Sequence, residues 1–255
     1  SKRNKKHFQV RYVCPTYSPL TAAAHRCTFH MLSIAAILVL GYLIGSVPSS
    51  VWLGKMVHGV DVRDYGSGNA GATNAFRVLG WKVGSSALLL DMGKGALAAG
   101  VFSQLRLGAV PTFGTWELDT VIALLAGLAA IVGHIFPLYL GFDGGKGVAT
   151  TAGVLLAVTP LTMLIVMAIF VAVLLPSGYV SLASMTSAVA FPTAVAVQIF
   201  AFDTGLDLSV LLVGVLLALG ILIAHRSNIR RLINGEENQF SSFRPAQGMI
   251  GRGEL

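Results

Sequence analysis

Apolar runs at 31–57, 83–103, 120–140, 148–175, 179–202 and 207–225 alternate along the chain with short polar connections. Each run is close to the roughly 20 residues a helix needs to cross a bilayer. The connections fall into two sets. One carries Lys55, Arg63, Arg77, Lys82, Lys146, Arg226, Arg230 and Arg231; the other carries Arg106, Glu117, Asp119, Asp203 and Asp207. The excess of Lys and Arg assigns the first set to the cytoplasmic side. Parity then tests the spans. Between Lys146 and Arg226 the chain must leave and return an even number of times, yet three runs lie there. The run 148–175 resolves the count, because Thr159-Pro160 sits at its middle and proline cannot continue a helix.

This pattern predicts an all-α, polytopic membrane bundle of seven transmembrane helices, with the N-terminus outside and the C-terminus cytoplasmic. The hairpin arms, 147–158 and 160–175, are each only ~18–24 Å long at 1.5 Å per residue. They imply tilt or local thinning against a core of about 30 Å.

Composition agrees. The 255-residue chain is 55% hydrophobic and 11% charged, against about 25% charged in ordinary soluble domains. That excludes a charge-coated soluble globule. The net charge of +7 would invite a polyanionic partner, but six basic residues (Lys2, Arg3, Lys5, Lys6, Arg11 and Arg26) lie in 1–30 with no acid beside them. The remainder has 12 basic and 11 acidic residues, net +1, and no nucleic-acid partner is expected.

Residues 1–30 lack a helical apolar period and hold both cysteines, Cys14 and Cys27. The segment is read as an unstructured tail whose two thiols make neither a disulfide framework nor a metal quartet. The apolar run after it is too long for a signal-peptide core. Since Met31 sits where a membrane protein would begin, the tail is expected to be an expression or start-site extension. Its charges favour the cytoplasm, against the predicted orientation; the agreement of four cytoplasmic connections outweighs them. The expected organisation is a tail at 1–30, a membrane domain at 31–240 and a short cytoplasmic tail at 241–255.

Three polar clusters fall on the predicted cytoplasmic side. In the run from Gly66 through Asn74, glycines let backbone N–H groups converge on an anion. Ser67, Asn69, Thr73 and Asn74 add small donors, and Arg77 supplies a planar fork suited to phosphate. A short helix over 71–79 would aim its N-terminus at the same place. The second cluster is Gly133-His134 followed by Gly141-Phe142-Asp143-Gly144-Gly145-Lys146-Gly147. Lysine between glycines at a helix start suits phosphate. The nucleotide P-loop is absent, because Leu140 and Gly147 break its pattern. His134, beside Pro137, reads equally well as a local cap.

The third cluster, His225 to Arg231, closes the last helix. Its arginines suit the helix dipole and lipid headgroups and need no further function. His225 and Asn228, at i and i+3, share a face where they could hold a hydroxyl or a carbonyl. Asp91 and Lys94, also i and i+3 but inside a span, read first as an internal ion pair.

Taken together, Gly45-Ser46-Val47-Pro48-Ser49, the run from Gly66 to Arg77, Gly133-His134 with Gly144 to Thr150, Tyr179 to Ser184, and His225 to Asn228 closely resemble the bacterial acylphosphate:glycerol-3-phosphate acyltransferases of the PlsY type. The resemblance covers 31–240 in order and spacing. It implies a seven-helix enzyme of the bacterial inner membrane, with its site at the cytoplasmic face. Such an enzyme moves an acyl group from acyl phosphate to the 1-hydroxyl of glycerol 3-phosphate, giving lysophosphatidic acid and phosphate, the first committed step of phospholipid synthesis.

On the family pattern Ser67, Arg77 and Lys146 hold glycerol 3-phosphate. Gly68, Asn69, Gly71, Thr73 and Asn74, with Gly144, Gly145 and Gly147, cradle the acyl phosphate, and His225 and Asn228 complete the site. No acyl-enzyme constellation is evident, and no His has Asp five residues later as in the other glycerolipid acyltransferases. Direct displacement is therefore expected, with His225 or a substrate phosphate as base, the resemblance favouring the phosphate. No metal, cofactor or obligate protein partner is expected. The alternative from another class is a carrier for a phosphorylated metabolite, whose broken helices would also end in glycine-rich segments.

Overall fold

The computed structural model describes residues 19–105 and 117–240, with side chains from residue 32 onward. Arg106, Cys14 and the expected tail at 241–255 lie outside the described residues. All regular structure among those described is helical: α1 (Pro19–Gly45), α2 (Ser49–His58), α3 (Ala72–Gly100), α4 (Leu118–Ile135), α5 (Val148–Val158), α6 (Pro160–Ser177), α7 (Val180–Phe200), α8 (Leu208–Ala224) and α9 (Arg226–Ile233).

The first helix corrects the expected boundary, for it begins at Pro19 and runs through Met31 without a break. Proline is well placed in a first helical turn, where its missing N–H costs no hydrogen bond, and the alanines at 22–24 are the strongest helix formers.

Lipid offers little hydrophobic drive for helix association, so these helices meet through close steric fit. Gly41 and Gly45 of α1 lie against the backbone of Ala126 and Ala130 of α4, where a Cβ would collide with either carbonyl oxygen. Gly95 of α3 meets Thr150 of α5, and Gly153 of α5 meets Met92 of α3, in the same way. Farther along, α6 packs on α7 and α7 on α8. A core of Leu124, Ile131, Val154, Leu155, Met163, Val166, Phe191, Val195 and Leu217 joins α4 to α8.

The outer surface is apolar instead of charged. Leu89, Leu161, Leu175, Leu216 and Ile223 are each exposed by 60% or more, a patchwork that water would penalise and lipid accommodates. By length and hydropathy four segments suffice to cross a bilayer: Leu32–His58, Leu118–Leu140, Pro160–Ser177 and Val180–Phe200. The bent pair α8 and α9 makes a fifth. The other helices of the predicted seven fall short for clear reasons: α3 carries Asp91 and Lys94, and α5 has only 11 residues.

Three interruptions shape the site. Gly80, at φ 81° and ψ 178°, divides α3 into the expected short helix at 72–79 and a longer arm. Thr159, at φ −135° and ψ 71°, separates α5 from α6, and Pro160 opens α6, as its sequence predicts. The third corrects an expectation: the stretch from His225 to Arg231 does not simply close α8. His225 is a hinge, and α9 turns away by 58°. Arg226, Ile229, Arg230 and Ile233, spaced i, i+3, i+4 and i+7, share the exposed face of α9, where cations alternate with apolar side chains as at a membrane interface.

Candidate active site

One cavity of about 450 Å³ collects most of the residues singled out by sequence. Ser67, Gly68, Asn69, Gly71, Thr73, Asn74, Arg77, Lys146, Gly147, His225 and Asn228 all line it. Farther in, its walls become Leu155 of α5, Met163, Val166 and Phe170 of α6, Phe191 of α7 and Leu217 of α8. A polar mouth thus continues into an apolar cleft between helices.

The first glycine loop is fastened by Asn74. Its Nδ2 donates to Val62 O at 2.7 Å and Tyr65 O at 3.0 Å, while its Oδ1 accepts from Ser67 N at 2.9 Å. Gly66 and Gly68 turn through positive φ, 63° and 72°, to make the fold possible. The Asn74 side chain is 1% exposed and both amide hydrogens are engaged. Its expected role as a phosphate donor is therefore corrected: it shapes the loop from which Ser67, Asn69 and Thr73 face the cavity.

The second loop brings a related correction. Gly144 N donates to Ile135 O at 3.2 Å and Gly145 N to His134 O at 3.1 Å. These N–H groups are engaged by the end of α4, and neither glycine lines the main cavity. A Cβ at Gly144 would strike His134 O, and one at Gly145 would strike His134 Nε2. Both glycines serve close approach. Lys146, Gly147 and the first turn of α5, whose N–H groups have no intrahelical acceptor, face the cavity instead.

Lys146 Nζ donates to Asn228 Oδ1. Asn228 Nδ2 in turn donates to Glu237 Oε1 at 2.7 Å, and that carboxylate also accepts from Ser181 Oγ at 2.9 Å and Arg231 Nε at 2.7 Å. Glu237, absent from the expected set, thus orients three groups of the site. The signal available in sequence was slight: an acidic pair, Glu236-Glu237, soon after a basic run. Arg231, expected to be only a lipid anchor, lines the cavity and is committed to this carboxylate. Burial opposes ionisation of Glu237, but the hydrogen bonds from Asn228, Arg231 and Ser181 prevail and hold its carboxyl below the ordinary range.

The segment around Glu237 closes over the mouth. Arg77 Nη2 donates to Asn238 O at 3.2 Å, Gln239 Nε2 to Tyr179 Oη at 3.2 Å and Phe240 N to Gly178 O at 2.7 Å. Phe240 also meets Phe76 edge to face at 5.9 Å. The buried Nε of Arg77 has no hydrogen-bond partner among the described residues, which leaves a donor for an anion.

Burial, together with the positive charges of Arg231 and Arg77, pulls the Lys146 ammonium down to about 8 against the opposing pull of Glu237. An anion arriving here gains two or three cations in a poorly solvated place. His225 Nδ1 lies 2.8 Å from Ile221 O. A carbonyl only accepts, so Nδ1 carries the proton and the Nε2 lone pair is left to receive one. The expected ion pair also forms: Lys94 Nζ is 2.9 Å from Asp91 Oδ1, and His134 Nδ1 is 3.6 Å from the same oxygen. Among the described residues no group of three His, Cys, Asp or Glu side chains gathers as a metal site.

Comparison with known proteins bears on this arrangement. The sequence model of the family described as glycerol-3-phosphate acyltransferase matches residues 35–235. The chain is 56% identical over 230 residues to a glycerol-3-phosphate acyltransferase of Salinibacter ruber, covering 88% of this chain and all of that protein. It is 43% identical over 231 residues to one of Chlorobaculum tepidum, covering 83% and 98%. Its fold is similar to a crystal structure of PlsY, an integral membrane glycerol 3-phosphate acyltransferase, in the glycerol 3-phosphate form. That match has a TM-score of 0.70 and 35% identity, over 82% of this chain and 96% of that one. The lysophosphatidic acid form gives 0.67 and 33%, over 84% and 98%.

Proposed function

Because the chain belongs to the glycerol-3-phosphate acyltransferase family and is an integral membrane acyltransferase, we propose that it takes its acyl group from acyl phosphate and transfers it directly to the 1-hydroxyl of glycerol 3-phosphate. The observation that carries this reading is the shape of the cavity. Its cationic mouth, with Arg77, Lys146 and the first turn of α5, suits two phosphate groups. Its apolar cleft between α5, α6, α7 and α8 suits one long chain.

In the reaction the 1-hydroxyl oxygen forms a bond to the acyl carbon while the bond from that carbon to the phosphate oxygen breaks. Inorganic phosphate leaves with the electron pair. Acyl phosphate is already activated, so the protein mainly aligns the substrates and neutralises the departing charge. Ser67, Arg77 and Lys146 hold glycerol 3-phosphate. Asn69 and Thr73, with Gly147 and the start of α5, receive the acyl phosphate. Asn228, oriented by Glu237, steadies Lys146. The Nε2 of His225 accepts a hydrogen bond from the attacking hydroxyl, and the proton passes to a substrate phosphate, whose second pKa is near 6.

The topology that goes with this reading has seven spans: α1, the long arm of α3, α4, α5, α6, α7 and α8. The N-terminus lies outside, and the basic connections and the site lie on the cytoplasmic side of a bacterial inner membrane. The two substrates are its only required partners besides the bilayer.

The test is purified protein in detergent with labelled glycerol 3-phosphate. Acyl phosphate is expected to give lysophosphatidic acid and one phosphate per acyl group, without vesicles, which a carrier could not do. Product from an acyl thioester but not from acyl phosphate would overturn the donor assignment. Activity in His225→Ala within a few-fold of native is expected if a substrate phosphate is the base.

A further inference from the structure

Beneath the second glycine loop lie three buried polar side chains that the reaction itself does not use. Asp91, Lys94 and His134 are 1%, 6% and 7% exposed. They lie on α3 and at the end of α4, elements that sequence alone does not join. Lys94 Nζ lies 2.9 Å from Asp91 Oδ1 and donates to Val47 O at 2.8 Å, where the chain breaks between α1 and α2. His134 presents Nδ1 to the same carboxylate oxygen, so the opposite edge of the ring, Nε2, faces Gly145. Gly145 passes between that nitrogen and Ala70 O of the first loop, with no space for a side chain on this face. Asp91 and His134 also line the main cavity beneath the mouth.

A buried ion pair stabilises little compared with apolar side chains of the same volume. Its consequence lies in what it orients. A carboxylate beside one imidazole nitrogen biases where the other points; here Nδ1 lies 3.6 Å from Asp91 Oδ1 and Nε2 faces Gly145, in the turn that leads into Gly147 and α5.

We infer that His134, oriented by the Asp91–Lys94 pair, is a positioning residue that sets the 144–147 loop for the acyl donor. This inference rests on the proposed function, in which that loop and the start of α5 receive the donor phosphate. Loss of the imidazole lets the loop relax toward the space it leaves and moves the donor cradle. Glycerol 3-phosphate keeps Ser67 and Arg77 on the first loop and α3, and its third contact, Lys146, stays tied to Asn228 of α9, so it is affected less.

The test compares wild type, His134→Ala, His134→Gln and the double variant Asp91→Asn/Lys94→Met. The double variant removes both charges together and leaves no orphan ion to unfold the chain. Each is measured with acyl phosphate and glycerol 3-phosphate varied in turn. His134→Ala is expected to raise KM for acyl phosphate about tenfold, with KM for glycerol 3-phosphate within about twofold. His134→Gln, which restores a nitrogen near the Nε2 position, recovers part of that loss. The double variant, which keeps the ring but frees its orientation, gives an intermediate rise. Equal changes in both KM values, or a lowered melting temperature with both KM values unchanged, would overturn the inference.

Hydrogen exchange gives a readout independent of donor identity. Faster exchange in His134→Ala confined to 143–148 supports the inference, and unchanged exchange there refutes it. Should wild type reject acyl phosphate, the proposed donor falls while the exchange result still decides the role of His134.

Discussion

The two glycine loops are built from nearly the same residue types and divide their work in opposite ways. In the loop from Gly66 to Asn74 a side chain does the holding: Asn74 engages Val62 O, Tyr65 O and Ser67 N, and neighbouring Ser67, Asn69 and Thr73 face the cavity. In the loop from Gly141 to Gly147 the backbone does the holding, through the N–H groups of Gly144 and Gly145, and the cationic side chain of Lys146 faces the cavity. Glycine density therefore indicates that backbone must come close to something. Whether that something is a ligand or the protein's own helix depends on which N–H groups are already engaged.

The sharpest break of this comparison removes Lys146 of the second loop or Arg77, which follows the first loop on α3. Arg77→Ala and Lys146→Ala are each expected to lower kcat/KM on the order of 10³-fold, with melting temperatures in detergent near wild type. Near-native turnover in Lys146→Ala would refute the assignment of the second loop.

A smaller effect distinguishes close approach from ligand contact. Gly145→Ala drives a methyl into His134 Nε2 and Ala70 O, and the displaced loop is expected to lose about 10²-fold in activity. The pH profile sharpens the electrostatic half of the contrast. As pH rises through about 8 the Lys146 ammonium deprotonates, so kcat/KM is expected to fall by about tenfold per unit beyond it. In Lys146→Arg that alkaline limb should vanish, because a guanidinium keeps its charge there.

Asn74→Ala tests the side-chain half. It orphans two carbonyls and one N–H, and is expected to destabilise the fold by about 2–4 kcal/mol in detergent unfolding. The smallest change is expected from Gly68→Ala. Its φ of 72° strains an alanine by about 1 kcal/mol, but the nearest atom to the new Cβ, Arg63 O, stands 3.6 Å away.

Much of this was legible in residue order. Thr159-Pro160 marked the break between α5 and α6 because proline lacks the N–H and excludes the helical geometry before it. Ser67, Asn69, Thr73, Arg77, Lys146, His225 and Asn228 were singled out by chemistry and converge on one cavity. What escaped the sequence has a common character. Glu237 looks like one acid of an exposed tail until the chain turns back at Gly235, φ 72°, and brings it to Asn228 and Arg231 of α9. Arg231 looked like a membrane anchor because the 58° bend that takes α9 off the axis of α8 is not written in its basic run. Asn74, Gly144 and Gly145 were placed among the phosphate ligands because composition does not reveal which hydrogen bonds are already made.

By itself the sequence determined that this chain is helical and membrane-embedded, because uninterrupted apolar runs admit no other way to satisfy their backbone in lipid. It also determined that the polar chemistry gathers at the span ends, and its motifs pointed to the family. Only the tertiary structure decided which donors remain open. That choice depends on contacts between residues far apart in sequence, such as Lys146 with Asn228 and Ser181 with Glu237, and a hydrogen bond once made to a neighbouring helix is no longer available to a substrate.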